Sequence, residues 1–239
     1  MFPIKDLNKS LTTPHVNRLL IIVNIIIFAV YGLSSENIFL SSQFAGYIEE
    51  EFVMVPANIL HGEQLYTLFT SMFLHANLLH LFGNMLFLFV FGDNVEDIFG
   101  HLGYLIFYLI CGLAAAFAYI LVNLYAPLIS EIIGIPLASD LTSGVLGASG
   151  AIAGVLGAYF VLFPRAKVLS LVIYVILPIS AFMFLGVWFL LQWIYWVTDI
   201  YGGVAYFAHI GGFIAGMVLA AIIGLRRKRA RDARLGVYR

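Results

Sequence analysis

The sequence contains few charged residues and a single cysteine. Asp, Glu, Lys and Arg make up only 10% of its 239 residues, whereas 62% are apolar, and the mean hydropathy is +1.01. A soluble protein has about 25% charged residues, so this composition excludes a soluble globular, disordered or collagen-like chain and predicts a membrane protein. One cysteine, Cys111, excludes an internal disulfide framework and a cysteine zinc site. The formal net charge of −1 provides no positive field, so we expect no nucleic-acid partner.

Long apolar segments predict how the chain is organised. A helix that crosses the hydrocarbon core needs about 20 mostly apolar residues. Six segments approach this requirement, at 18–33, 78–91, 101–125, 147–163, 168–197 and 205–225. We therefore predict an all-α polytopic membrane protein, a six-span bundle over 18–225, preceded by a segment over 1–17 and followed by a basic tail over 226–239. The fifth segment is longer than a span requires and contains Pro178, so we expect a tilted or kinked helix there.

The positions of the basic residues test this count. All 12 Lys and Arg residues precede or open the first span, lie between the fourth and fifth spans, or follow the sixth span. Cytoplasmic loops carry the excess of Lys and Arg, so six spans place both termini in the cytoplasm. The segment 34–71 then lies outside, where its apolar residues favour the membrane interface. The first segment is also short enough for a signal peptide. Because the N-terminal residues do not form an Arg-rich amphipathic leader, we expect a plasma membrane, with lipid contacts, rather than a mitochondrial location.

Polar residues at membrane depth are costly, so each is a functional hypothesis. His75, His80 and Asn84 lie at the start of the second span, Ser149 opens the fourth, and His209 lies near the start of the sixth. In the six-span arrangement these three spans run in the same direction. All five side chains are therefore expected at one depth near the outer face, which is the arrangement that acyl-transfer chemistry needs.

Ser149 and His209 are each flanked by small residues. Gly147 and Gly150 frame Ser149 at a helix start, where free backbone N–H groups favour developing negative charge. Gly212 and Gly216 follow His209 along one helix face and allow close helix packing. If the two helices pack through these faces, the imidazole can act as general base for the serine. The alternatives are a helix-capping serine and a buried, hydrogen-bonded histidine.

The remaining polar residues have weaker interpretations. His80 and Asn84 share one helix face and could donate to an oxyanion. A metal site is the competing interpretation, but the H-E-x-x-H spacing is absent, so we expect no metal and no cofactor. We see no Asp or Glu in position to orient His209, which favours a Ser-His dyad over a triad. The acidic residues Asp93, Glu96 and Asp97 lie toward the opposite face, where helix capping is the expected role.

Taken together, these residues resemble the rhomboid intramembrane serine proteases over roughly residues 52–225. The resemblance implies that Ser149 is the nucleophile and His209 the general base. It also implies an oxyanion hole of His80, Asn84 and the Ser149 N–H, supported by His75, Gly147, Gly150 and Gly212. The implied substrates are transmembrane segments of other proteins. The sequence departs from some family members at Ala153, where an aromatic residue stacks on the histidine, and in lacking a Trp-Arg pair in the first outer loop.

Two other functions fit parts of the pattern. A rhomboid-like pseudoenzyme typically lacks the serine or the histidine, and both are present here. A transporter with broken helices predicts intramembrane charges, which we do not find in spans two to six.

For a protease, the outer part of span five and the loop at 198–203 are expected to form a gate, in which Trp188 and Trp193 pack against span two. The alternative for these rings is an interfacial aromatic belt.

Overall fold

The computed structural model describes residues 1–35, 41–134, 139–198 and 204–236. From the N-terminus, the elements are β1 (Phe2–Asp6), α1 (His15–Ser35), α2 (Ser42–Phe52), α3 (Pro56–Leu60), α4 (Thr67–Thr70), a 3-10 turn (Ser71–Phe73), α5 (Leu78–Phe99), α6 (His101–Ile133) and α7 (Ser149–Leu162). They continue with β2 (Lys167–Val172), β3 (Val175–Ser180), α8 (Ala181–Thr198), α9 (Tyr206–Leu219), a π-helical turn (Ala220–Gly224) and α10 (Leu225–Leu235).

The helices account for the predicted spans. Within the described ranges, five helical segments are long and apolar enough to cross a membrane: His15–Gly32, Leu78–Phe99, His101–Ile132, Ala181–Thr198 and Tyr206–Arg234. The sixth apolar helix is α7, whose 14 residues extend about 21 Å, less than the roughly 30 Å of a hydrocarbon core. The predicted helical, polytopic membrane architecture is confirmed. The shorter α7 is surrounded by the other helices, because 11 of its 14 residues are buried.

The prediction of one long helix over 168–197 is wrong in its first half. Residues 167–180 form the β2–β3 hairpin, and the helix begins only at Ala181. β2 lies between β1 and β3 in an antiparallel sheet, with Phe2 opposite Leu171. Pro178 does not kink a helix, because it lies in the edge strand β3, where a missing N–H is tolerated. The hairpin turns at Ile173, which has a φ of 58° in the left-handed region, and its exposed apolar tip suits a lipid interface.

Close backbone packing joins α7 to α9. A Cβ atom added to Gly212 would lie 2.0 Å from the carbonyl oxygen of Gly150, and one added to Gly216 would lie 1.9 Å from that of Gly154. Only glycine permits such an approach, and the prediction that these two helices pack through small residues is confirmed. The two helices are therefore held in one register along their length.

At the end of the bundle that lies away from the start of α7, the N-terminal segment and α10 both contact α5. We call this the basic end. The Glu96 carboxylate accepts hydrogen bonds from the backbone N–H groups of Val16 at 3.0 Å and Asn17 at 2.7 Å, in the first turn of α1. The predicted capping role of Glu96 is thus confirmed, although the capped helix is not its own. Asp97 accepts from Leu11 N–H at 3.1 Å and forms an ion pair with Arg231 at 2.5 Å, which ties α10 to the N-terminal segment.

The described part of the predicted interfacial segment after α1, residues 41–71, forms short helices rather than a span. α2, α3 and α4 fold over the end of the bundle where α7 begins, and Ala45 and Val53 pack with Tyr31 and Leu74. Two of the apolar residues behind the prediction, Ile38 and Phe39, lie outside the described residues. A location in the membrane interface stays a prediction.

Candidate active site

Ser149 is the first residue of α7 and follows a chain reversal that only glycine readily adopts. Gly147 has a φ of 131°, and its N–H donates to the carbonyl oxygen of Ser71 at 2.9 Å. This bond fixes the entry to α7 against the segment that precedes α5. Because α7 begins here, its first N–H groups have no partner within the helix and lie at the same helix start as the Ser149 hydroxyl.

His209 lies in the first turn of α9, directly beside Ser149. The distance between His209 Nε2 and Ser149 Oγ is 2.7 Å, a good hydrogen-bond length. The close contact between Gly150 and Gly212 explains the match in height, since each glycine is within three residues of one of the two side chains. The structure therefore brings together the serine and the histidine that the sequence suggested as a pair.

The second ring nitrogen of His209 has a partner that the sequence analysis missed. His209 Nδ1 lies 2.8 Å from Gln192 Oε1 on α8, and Gln192 is only 6% exposed. The Gln192 amide nitrogen donates to the carbonyl oxygen of Trp188 at 3.1 Å, one turn earlier. A carbonyl can only accept, so this bond sets the amide orientation and directs the acceptor oxygen toward His209. Nδ1 then carries the ring proton, which leaves Nε2 of the neutral imidazole to accept from Ser149.

Gln192 could have been found from the sequence. It is an uncharged polar residue inside an apolar and aromatic segment, and the rule that polar residues at membrane depth deserve a hypothesis applies to it. The search for a residue that orients His209 considered only Asp and Glu, so the amide was not considered.

His80, Asn84 and His75 lie on the other side of the serine. A Cβ atom added to Gly147 would lie 3.0 Å from His80 Nε2 and 3.6 Å from Ser149 Oγ, so these two groups face a shared space. The buried Nδ2 atom of Asn84 has no hydrogen-bond acceptor among the described residues. His75 precedes α5, is fully buried, and packs edge-on against the His80 ring with centroids 5.1 Å apart.

Chemically, this arrangement provides a hydroxyl, an imidazole in the correct tautomer, and nearby N–H donors. Within the described ranges, no group of three His, Cys, Asp or Glu side chains is arranged to hold a metal ion. A hydroxyl hydrogen-bonded to an imidazole, with the base oriented by a third group, is the arrangement of nucleophilic catalysis.

Comparison with known proteins decides the family. The rhomboid domain model matches residues 62–226, which include every residue of the candidate site. The chain belongs to the rhomboid family. It is similar to Rhomboid protein 1, mitochondrial, of Saccharomyces cerevisiae, with 29% identity over 170 residues that cover 69% of this chain and 44% of the yeast protein. It is also similar to RHOMBOID-like protein 12, mitochondrial, of Arabidopsis thaliana, with 28% identity over 179 residues, 74% of this chain and 51% of the plant protein.

This rhomboid spans about half the length of the curated relatives it matches. Its β1 strand and α1 helix precede the matched range. Ala153, four residues after Ser149, occupies the position at which some family members have an aromatic residue that stacks on the histidine, and it is fully buried. The rings near His209 come instead from Trp188 on α8, with centroids 6.0 Å apart, and from Tyr206, at 6.4 Å.

Proposed function

We propose that this rhomboid is an intramembrane serine protease that hydrolyses peptide bonds in or near transmembrane segments of other proteins. The observation that carries the proposal is the 2.7 Å contact between Ser149 Oγ and His209 Nε2 on two helices whose backbones touch. A hydroxyl that only capped a helix would need no imidazole aligned with it. Family membership supports the same activity.

In the proposed reaction, Ser149 Oγ attacks the peptide carbonyl carbon while its proton passes to His209 Nε2. The electron pair of the carbonyl moves onto oxygen, and the oxyanion accepts hydrogen bonds from His80, Asn84 and the Ser149 N–H. His209 then protonates the leaving amine, and the acyl-enzyme forms. A water molecule, deprotonated by His209, hydrolyses the ester and restores Ser149. The unpaired Nδ2 atom of Asn84 supports its role as a donor to a substrate oxygen.

Gln192 is proposed as a positioning residue for His209. A carboxylate in this buried position would place a charge in a membrane protein interior, which is expensive, whereas an amide orients the imidazole without that cost. Gln192→Met keeps the length of the side chain and removes the acceptor. It should lower kcat roughly 10-fold or more with little change in KM, because orientation matters in the transition state. Gln192→Glu keeps an acceptor at the same place and should recover part of the rate, although its buried carboxylate should lower the melting temperature.

A merely structural role for Gln192 would give a different result. Loss of packing alone would lower the rate in both variants, and Gln192→Glu would be no more active than Gln192→Met. The tautomer provides a second measurement, since the nitrogen NMR shifts of His209 should show a loss of the Nδ1-protonated form in Gln192→Met and should retain that form in Gln192→Glu.

Substrate entry is proposed to occur between α5 and α8. The two helices meet through aromatic rings, with Phe87 of α5 at 6.3 Å from both Phe184 and Trp188 of α8. The Trp193 ring contacts Phe189, Trp196 and Phe207 on α8 and α9, and its packing against span two stays a prediction. The predicted gate loop over 198–203 lies outside the described residues, apart from Thr198. Trp188 also touches the His209 ring, so movement of α8 would disturb the base as well as the entrance.

We also propose that the basic end faces the cytoplasm of a plasma membrane, with the Ser149 end outside. All Lys and Arg residues lie in three segments of the sequence: the N-terminal segment up to Arg18, the residues between α7 and β3, and the basic tail over 226–239. Both relatives are named as mitochondrial, so the compartment needs its own test. Cysteines placed at 37 or 201, both outside the described residues, should be labelled by an impermeant maleimide in intact cells, and one at 230 should not. Wild-type Cys111 is buried and serves as the unlabelled control.

The decisive experiment for the activity uses a fluorophosphonate probe on the purified protein, followed by peptide mapping. We expect a single modified residue, Ser149, and no labelling in Ser149→Ala or His209→Ala. Both variants should also fail to cleave a single-span substrate while they keep the wild-type melting temperature. Cleavage that persists in Ser149→Ala would refute the proposed function.

A further inference from the structure

A cavity lies at the basic end, far from Ser149. It has a volume of about 490 Å³ and opens where α7 ends, whereas Ser149 begins the same helix. Its walls come from the N-terminal segment, from α5, from the chain between α7 and β2, and from α10. The lining residues are Asn8, Lys9, Leu11, Asn94, residues 161–166, Lys228 and Arg231.

The polar part of this lining is cationic. Four basic side chains line the cavity, namely Lys9, Arg165, Lys228 and Arg231, and no acidic residue does. Lys228 and Arg231 already have carboxylate partners, since Asp232 lies 3.2 Å from the first and 2.8 Å from the second, and Asp97 lies 2.5 Å from Arg231. In the described part of the chain, Lys9 and Arg165 form no ion pair. Two uncompensated cations therefore border the same space.

The cavity also has an apolar side. Leu162 and Phe163 are buried at the end of α7 and form part of the wall, and Lys228 lies 5.5 Å above the Phe163 ring. A ligand that suits both surfaces carries a phosphate group for the cations and an apolar part next to it. Basic pockets between membrane helices are suited to the head groups of anionic lipids, which reach this depth from the bilayer.

We propose that the cavity at the basic end binds the phosphate group of an anionic phospholipid. The lipid joins three parts of the chain that are distant in sequence, the N-terminal segment, the end of α7 and α10. Occupancy should therefore stabilise the folded protein, as any ligand that binds only the native state does. The proposal does not depend on the proteolytic activity.

The test measures lipid affinity with the full chain in detergent. Dioctanoyl phosphatidylglycerol is titrated while the melting temperature is followed, and dioctanoyl phosphatidylcholine is the zwitterionic control. The double variant Lys9→Gln/Arg165→Gln removes the two unpaired cations. A cation near an anionic lipid surface contributes about 1 kcal/mol, so we expect roughly 30-fold weaker binding in this variant.

A matched control removes the same charge from the same two segments. Lys5 and Lys167 are exposed and do not line the cavity, so Lys5→Gln/Lys167→Gln should bind like the wild type. Equal weakening in both double variants would mean that surface charge alone attracts the lipid, and would overturn the proposal. Absence of any stabilisation of the wild type by phosphatidylglycerol would also overturn it.

Inorganic phosphate separates a lipid from a soluble ligand. Stabilisation by phosphate at the same concentrations, with no further effect of the lipid, would assign the cavity to a soluble anion and reject the lipid. Native mass spectrometry counts the lipid molecules retained by the wild type and by the two double variants. One retained phosphatidylglycerol molecule, lost in Lys9→Gln/Arg165→Gln and kept in the control, is the expected result.

Discussion

One of the closest helix contacts among the described residues lies next to the candidate dyad, which makes Gly212→Ala an informative substitution. The added methyl group would lie 2.0 Å from the carbonyl oxygen of Gly150, and such a contact is almost never shorter than 3.0 Å. The obstructing atom is backbone, so no side chain can rotate away. Helices α7 and α9 must therefore separate by about 1 Å, the difference between these two distances.

The separation should act directly on the reaction. Ser149 precedes Gly150, and His209 lies one turn before Gly212, so both side chains move with their helices. A shift of about 1 Å along the contact would lengthen the 2.7 Å hydrogen bond to about 3.7 Å, beyond the 3.5 Å limit of such a bond. A displacement of this size can cost about 10²-fold in rate. Overpacking should also lower the free energy of unfolding by about 1 to 3 kcal/mol.

The assay is the rate at which a fluorophosphonate labels Ser149, together with cleavage of a single-span substrate. Gly83→Ala is the matched control, because a Cβ atom at Gly83 in α5 would meet nothing within 4 Å. That variant should keep the wild-type melting temperature or exceed it slightly. If Gly212→Ala remains folded and labels at the wild-type rate, the helix contact does not set the Ser149–His209 distance, and the reasoning is refuted.

Three further predictions address the gate, the oxyanion hole and the basic end. Phe87→Ala should raise turnover of a transmembrane substrate, because it loosens α5 from α8. Phe89 is 67% exposed, so Phe89→Ala should leave turnover unchanged, and equal turnover in both variants would argue against entry between these helices. Asn84→Ala should lower kcat roughly 10²-fold with a smaller change in KM, and a change in KM alone would exclude it as a donor to the oxyanion. Burial raises the pKa of Asp6 to about 6, so the free energy of unfolding should fall as pH rises from about 4 to about 6. The expected fall is about 1 to 2 kcal/mol after solvent screening. Asp6→Asn should abolish this dependence, and an unchanged pH profile in that variant would contradict the assignment.

The sequence was informative where the signals were local. Apolar length predicted the helices, and glycine spacing predicted that α7 and α9 touch. Polar residues in apolar surroundings identified Ser149 and His209, because such residues need a reason to be there. Each of these inferences depends on residues within a few turns of one another, so a single sequence contains the necessary pattern.

The failures arose where the deciding partner was distant or uncharged. The apolar residues of the β2–β3 hairpin have the same hydropathy as a span, and one of the two partners of β2 is β1, which lies more than 160 residues earlier. Gln192 was missed because only Asp and Glu were considered as partners of His209, and the contact itself joins residues on two different helices. Neither partnership is visible as a local pattern.

The position of β1 also determines the order in which this protein can be completed. Its partner β2 is synthesised only after α1, α5, α6 and α7, and at about 5 to 20 residues per second the delay is roughly 8 to 30 s. During this time four helices can enter the bilayer while the first strand has no sheet to join. The β1–β2 pairing at the basic end can therefore form only late in biogenesis.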